Sequence, residues 1–329
     1  MRIRPARAVT AAVTALAAAA LALVPTGSAS AGTERPYDDY VALGDSFTAG
    51  PLVPLQRLDP LGCARSTRNY PAYLASYLRV ASYTDVSCSA AETGDMTAPQ
   101  STFAGTNPAQ LDALDAGTDL VTLGIGGNDF SLFGDLIEVC QEVRDSDPDG
   151  TPCKDRFTVD GVDTKLRDAA AIQARVAGVL DGIEQRSPDA RVVVVGYLNL
   201  LPEVGTCAAV PFATGDYAWG RQVQAALNAS LRDAAADAGA TFVDLDRASY
   251  GHDACAGREA WVNGATTKPL RALYFHPFAK GMRGVAAESY RTLTGQPAPT
   301  GLAPRSTGAP TGSVDTDRLA ALLEAQVPR

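Results

Sequence analysis

Tyr40-Val41-Ala42-Leu43-Gly44-Asp45-Ser46-Phe47-Thr48-Ala49-Gly50 is a short apolar run that stops at Gly-Asp-Ser and then turns polar. It reads as a buried parallel strand ending in a tight glycine turn, with Ser46 opening the next segment. A serine at the carboxyl end of a central strand lies on the rim where open α/β sheets bind ligands, and its own N–H is among the unpaired donors at a helix start. Asp45 and Ser46 also have the chemistry of helix caps. The choice between cap and nucleophile depends on what the other strand ends carry.

Working outward, five β-rich runs alternate with longer helical ones. Strands are expected at Tyr40 to Gly44, Thr84 to Cys88, Leu120 to Ile125, Val192 to Leu198 and Thr241 to Leu245. Helices are expected at Tyr70 to Val80, Pro108 to Ala116, Lys165 to Gln185, Tyr217 to Ala238 and Pro277 to Leu293. This alternation predicts an α/β fold, a parallel sheet covered on both faces, and five strands suggest the flavodoxin-like order 2-1-3-4-5.

Residues 1–31 read as a secretory signal, with Arg2, Arg4 and Arg7 before an Ala/Leu/Val run and Ala29-Ser30-Ala31 as the cleavage site. One globular domain is then expected over residues 32–294, with a linker and a short amphipathic segment over 295–329. Gly295 to Gly312, rich in Pro, Gly, Thr and Ala, reads as a loose linker. Beyond it Asp315-Thr316-Asp317 can cap a helix in which Leu319, Leu322, Leu323 and Val327 share a face that docks on the domain.

Removing the leader's three arginines from 28 basic residues leaves 25 against 37 acidic, a net charge of −12. That balance argues against nucleic acid or an anionic membrane surface as the main partner. After the leader no stretch has the roughly 18 apolar residues of a membrane span, so no stable anchor is expected. Cys63, Cys88, Cys140, Cys153, Cys207 and Cys255 are an even count in a chain read as extracellular, which points to three disulfides. Six cysteines allow 15 pairings, of which bridging sequence neighbours is the simplest. Their spacing is not that of a zinc ribbon, and with His252 and His276 as the only histidines a metal site is not expected.

The strand ends hold the remaining chemistry. Ser87-Cys88-Ser89-Ala90-Ala91 follows the second strand, Gly124-Ile125-Gly126-Gly127-Asn128-Asp129 the third, and a long loop after the fifth leads to Phe275-His276-Pro277. Ester hydrolysis needs a nucleophile, a base and donors aimed at the developing oxyanion. Ser46 supplies the hydroxyl, and His276 the base, since His252 sits in a polar Gly-His-Asp-Ala-Cys loop. Pro277 suits the first turn of the last helix, which would place His276 at its positive end and favour the neutral imidazole. The N–H groups of Ser46 and Ala90 and the amide of Asn128 would form the oxyanion hole. Each residue alone has a structural explanation; their placement, one per strand end in order, favours catalysis.

Gly44-Asp45-Ser46-Phe47, Gly126-Gly127-Asn128-Asp129 and His276-Pro277 together resemble the blocks of the GDSL, or SGNH, hydrolase family. Six cysteines, the leader and the excess of Arg over Lys are similar to its secreted Streptomyces esterases and lipases. The resemblance spans roughly residues 36 to 293. It implies a three-layer α/β/α fold, Ser46 as nucleophile, His276 as general base, an oxyanion hole from Ser46, Ala90 and Asn128, neighbour-paired disulfides and no metal or cofactor. The expected substrate is a small-molecule or lipid ester, and the expected state is a monomer. No Gly-x-Ser-x-Gly surrounds Ser46, which separates the chain from α/β-hydrolases.

Two positions depart from the family pattern. Ala90 stands where glycine is usual, and Leu273 stands where an aspartate usually precedes the histidine by three residues. Some relatives use the main-chain carbonyl at that position, so a Ser46–His276 dyad is expected, oriented by the Leu273 carbonyl. Asp253 is the acid whose approach to His276 would overturn this. A phospholipase, a carbohydrate O-acetyl esterase and a non-catalytic binding protein of the same fold are the alternatives.

Overall fold

The computed structural model describes residues 1, 2 and 36–325; the expected signal segment falls outside the described residues apart from its first two positions, as does Val327. Strand β1 (Asp39–Gly44) is buried from Tyr40 onward and β3 (Leu120–Gly124) throughout, as expected of strands covered on both faces. With β2 (Ser82–Asp85), β4 (Arg191–Val195) and β5 (Thr241–Val243) they form one parallel sheet in the order β2-β1-β3-β4-β5. The register runs from Tyr40 opposite Leu120 to Gly44 opposite Gly124, so the two central strands end level at the same rim.

Helices cover both sides. Helix α2 (Tyr70–Leu78) packs along α6 (Ala279–Thr294), and α4 (Thr164–Arg186) along α5 (Asp216–Asp237). Asn69 caps α2 and Asp163 caps α4, each accepting from backbone N–H groups of the first turn. Helix α1 (Ser46–Ala49) is a single turn, and α3 (Leu132–Val143) lies between β3 and α4.

The strands expected from sequence all occur, shifted or shortened by a few residues. One helical expectation changes, and one unexpected helix is added. Pro108 to Ala116 is reduced to a 3-10 turn at Gln110–Ala113. There the backbone pairs three residues apart (Asp112 N–H to Ala109, Leu114 N–H to Leu111), and the buried Gln110 amide donates to the Gly44 carbonyl (2.9 Å) and accepts from its N–H (2.8 Å), tying the turn to β1. Helix α3 is new, with Leu132, Phe133, Leu136, Ile137 and Cys140 turned inward at helical spacing.

Three disulfides join Cys63 to Cys88, Cys140 to Cys153 and Cys207 to Cys255. The second ties α3 to the short helix Pro152–Arg156. Gly295 to Gly312, expected as a loose linker, hydrogen-bonds to the domain: Ser76 Oγ donates to the Ala303 carbonyl, Arg305 N–H to Ala72, and Leu58 N–H to Pro310. It leads to helix α7 (Thr316–Glu324), capped by Asp315, with Leu319 and Leu323 buried against Leu52, Ala64 and Leu273.

Candidate active site

Gly44 lets β1 end in a turn tight enough to present Ser46. A Cβ at Gly44 would lie 2.2 Å from Thr48 Oγ1 and 2.6 Å from the Gly124 carbonyl oxygen, so only glycine fits. Asp45 caps α1, its Oδ1 accepting from Phe47 N–H at 2.9 Å. The cap and the candidate nucleophile thus sit on adjacent residues.

Ser46 Oγ lies 2.8 Å from His276 Nε2. Both side chains are largely withdrawn from water, the residues being 7% and 8% exposed. His276 Nδ1 lies 2.7 Å from the carbonyl oxygen of Tyr274. A carbonyl only accepts, so Nδ1 carries the proton and Nε2 is left to accept from the serine hydroxyl.

The orienting carbonyl therefore belongs to Tyr274 and not to Leu273. The reason is local. Leu273 to His276 form a turn closed by His276 N–H donating to the Leu273 carbonyl at 3.2 Å, with Phe275 at φ 53 as its third residue. The Leu273 oxygen also accepts from Asn263 Nδ2 at 3.1 Å, which leaves the Tyr274 oxygen to meet the ring. Among the described residues no carboxylate hydrogen-bonds to His276. Asp253 instead accepts from Cys255 N–H at 2.8 Å.

Burial pushes the His276 imidazole down to about 4, only partly opposed by its bond to Tyr274. Helix α6 starts at Ala279, with Phe278 as its cap, so His276 lies outside it in an extended entry where Pro277 bridges Val262.

The oxyanion candidates face the same cleft. Ser46, Ala90 and Asn128 line it together with Phe133, Ile137, Leu273 and Leu323, around a cavity of about 50 Å³. Among the described residues neither the Ser46 nor the Ala90 N–H donates to a protein acceptor. Asn128 Nδ2 donates to the Ala91 carbonyl at 2.8 Å, which fixes the amide and uses one of its two hydrogens. Ala90 has φ 63, a left-handed conformation that glycine adopts freely and alanine adopts under strain.

Two supporting groups lie outside the expected catalytic and oxyanion residues. Tyr197, just past β4, donates from its hydroxyl to Asp45 Oδ2 at 2.5 Å and accepts from Gly127 N–H at 2.7 Å, joining the serine turn to the Asn128 loop. Burial raises the Asp45 carboxyl to about 7, with the Tyr197 bond the chief opposing influence. Asp129, the last residue of the Gly-Gly-Asn-Asp block, is fully buried. It accepts from Thr93 N–H (3.0 Å), Thr93 Oγ1 (2.5 Å) and Arg175 (2.8 Å), locking the Ala90 and Asn128 loops to each other and to α4.

This fold, with a hydroxyl on an uncharged imidazole and unpaired N–H groups beside an apolar cleft, defines an ester hydrolase. The chain belongs to the GDSL-like Lipase/Acylhydrolase family, whose model matches residues 42–283. It is 40% identical to "Lipase 2" of Streptomyces coelicolor over 298 residues, covering 87% of this chain and 97% of that one. It is 32% identical to a Streptomyces rimosus lipase over 269 residues, covering 80% and 89%. Among solved structures it resembles phospholipase A1 from Streptomyces albidoflavus NA297 (TM-score 0.63, 28% identity, 79% of this chain and 99% of that one). The extracellular lipase of Streptomyces rimosus gives the same TM-score at 30% identity, over 78% of this chain and 99% of its own.

Proposed function

We propose that the protein is a secreted lipase or carboxylesterase that works through a Ser46–His276 dyad and an acyl-enzyme. His276 Nε2 takes the hydroxyl proton as Ser46 Oγ attacks the acyl carbon. The oxyanion of the tetrahedral intermediate rests on the Ser46 and Ala90 N–H groups and the Asn128 amide. Collapse expels the alcohol, which receives the proton from His276. Water, deprotonated by the same imidazole, then attacks the acyl-enzyme and releases the acid and Ser46.

The observation that carries this reading is the 2.8 Å contact of Ser46 with an imidazole whose other nitrogen is committed to the Tyr274 carbonyl. A carbonyl fixes the tautomer as a carboxylate would, while stabilising the imidazolium less. Phe133, Ile137, Leu273 and Leu323 give the cleft an apolar wall suited to a fatty acyl chain, which favours lipid esters over acetylated polysaccharide. Three disulfides and the leader-like residues 1–31 support export. Ser46→Ala should lower kcat on a nitrophenyl ester by roughly 10⁴-fold or more with little change in melting temperature. Retained turnover would remove Ser46 from the mechanism, and faster release of acetate from acetylated xylan than of fatty acid from a lipid ester would favour the carbohydrate reading.

A further inference from the structure

The family match ends at residue 283, whereas α7 spans Thr316–Glu324. The two solved relatives are covered over 99% of their length while using 79% and 78% of this chain. Helix α7 nevertheless reaches the acyl cleft. Leu323, 2% exposed, lines it alongside Ser46, Phe133, Ile137 and Leu273.

The position of α7 is built by the chain before it. Hydrogen bonds at Ala303, Arg305 and Pro310 fix the strap to α2 and to the loop carrying Leu58. Asp315 Oδ1 accepts from Arg318 N–H at 3.0 Å and starts the helix. Leu319 and Leu323, one turn apart, then enter the same apolar cluster as Leu273, which lies three residues before His276. A side chain at 323 is thus set by packing and faces the space that an acyl chain would occupy.

We infer that Leu323, presented by the docked C-terminal helix, is a specificity-determining residue that closes one side of the acyl cleft and limits the acyl length accepted. The inference rests on the ester-hydrolase mechanism above and adds to it a selectivity element outside the matched family span. Shortening the side chain lengthens the space for an acyl chain, and a ring at the same place occupies it.

The test compares full-length wild type, Leu323→Ala and Leu323→Phe on nitrophenyl esters from acetate to palmitate, with melting temperatures recorded for each. The ratio of kcat/KM for long over short esters should rise about tenfold in Leu323→Ala and fall about tenfold in Leu323→Phe, the scale of a few methylenes gained or lost in an apolar pocket. Opposite shifts from two substitutions at one position are not the mark of general loosening. Ratios within about twofold of wild type in both variants, with wild-type turnover intact, would overturn the inference and leave the mechanism standing. A wild type that cleaves no ester at any length would overturn both.

Discussion

Tyr197→Phe removes one oxygen that holds two parts of the site together. In the native protein that hydroxyl donates to Asp45 Oδ2 at 2.5 Å and accepts from Gly127 N–H at 2.7 Å, both buried. The variant leaves the Gly127 N–H unpaired and the Asp45 carboxyl without its side-chain donor. Each buried group left unsatisfied costs about 1–3 kcal/mol, so unfolding stability should fall by about 2–6 kcal/mol. The sign of its pH dependence also follows. Asp45 is raised to about 7 by burial, so its contribution to stability diminishes as pH climbs from the unfolded carboxylate range through 7. Without Tyr197 the carboxyl moves higher still, and the stability gap between variant and wild type should widen between pH 6 and pH 8.5. Urea unfolding at the two pH values measures both quantities. Turnover should also fall, by roughly 10–100-fold, since Gly127 precedes Asn128 and small displacements of a positioning loop are costly. A stability difference below about 0.5 kcal/mol at both pH values, with unchanged kcat, would refute the clamp.

Other outcomes follow from the same geometry. Because burial holds the His276 imidazole near 4, the base stays unprotonated in mildly acidic solution, and the acidic limb of kcat/KM should lie near pH 4; a limb at 6.5 would show an ordinary, solvated histidine. Ala90→Gly relieves a left-handed alanine at φ 63 and should raise stability by about 1 kcal/mol with turnover within a few-fold of wild type; a loss of stability would mean that the methyl group contributes packing. Replacing Cys207 and Cys255 by alanine opens a separation of 48 residues and should cost about 4 kcal/mol, against about 3 kcal/mol for Cys140 and Cys153 at 13 residues, as read from thermal unfolding under oxidising conditions; the reverse order would show that strain, not loop length, governs the bridges.

Much of this site is visible in sequence because backbone constraints leave residue signatures. The Gly44 turn tolerates no Cβ, and the apolar runs around it leave few alternatives to buried parallel strands. The features that sequence does not reveal depend on contacts between distant segments. Nothing local marks Tyr197 as the partner of Asp45, beyond its place at the end of a strand. The Pro108 to Ala116 segment holds only a 3-10 turn, and its buried Gln110 side chain bonds the Gly44 backbone across 66 positions, a contact that nothing local announces. The orienting carbonyl shifts from Leu273 to Tyr274 because a turn with Phe275 at positive φ consumes the first and exposes the second. Helix α3 is not among the elements expected from sequence, although Leu132, Phe133, Leu136, Ile137 and Cys140 recur at helical spacing, because it follows directly on the Gly-Gly-Asn-Asp block and carries no cap residue that bonds its first turn.

The claim on which the mechanism stands is that Ser46 becomes covalently acylated with His276 as its base. Intact-mass measurement after exposure to a fluorophosphonate reads this directly, because attack by the Ser46 oxygen on phosphorus expels fluoride and leaves a stable adduct. The account predicts one adduct per chain, mapped to the peptide carrying Ser46, absent in Ser46→Ala and formed far more slowly in His276→Ala. An unmodified chain, or an adduct that persists in Ser46→Ala, would contradict it.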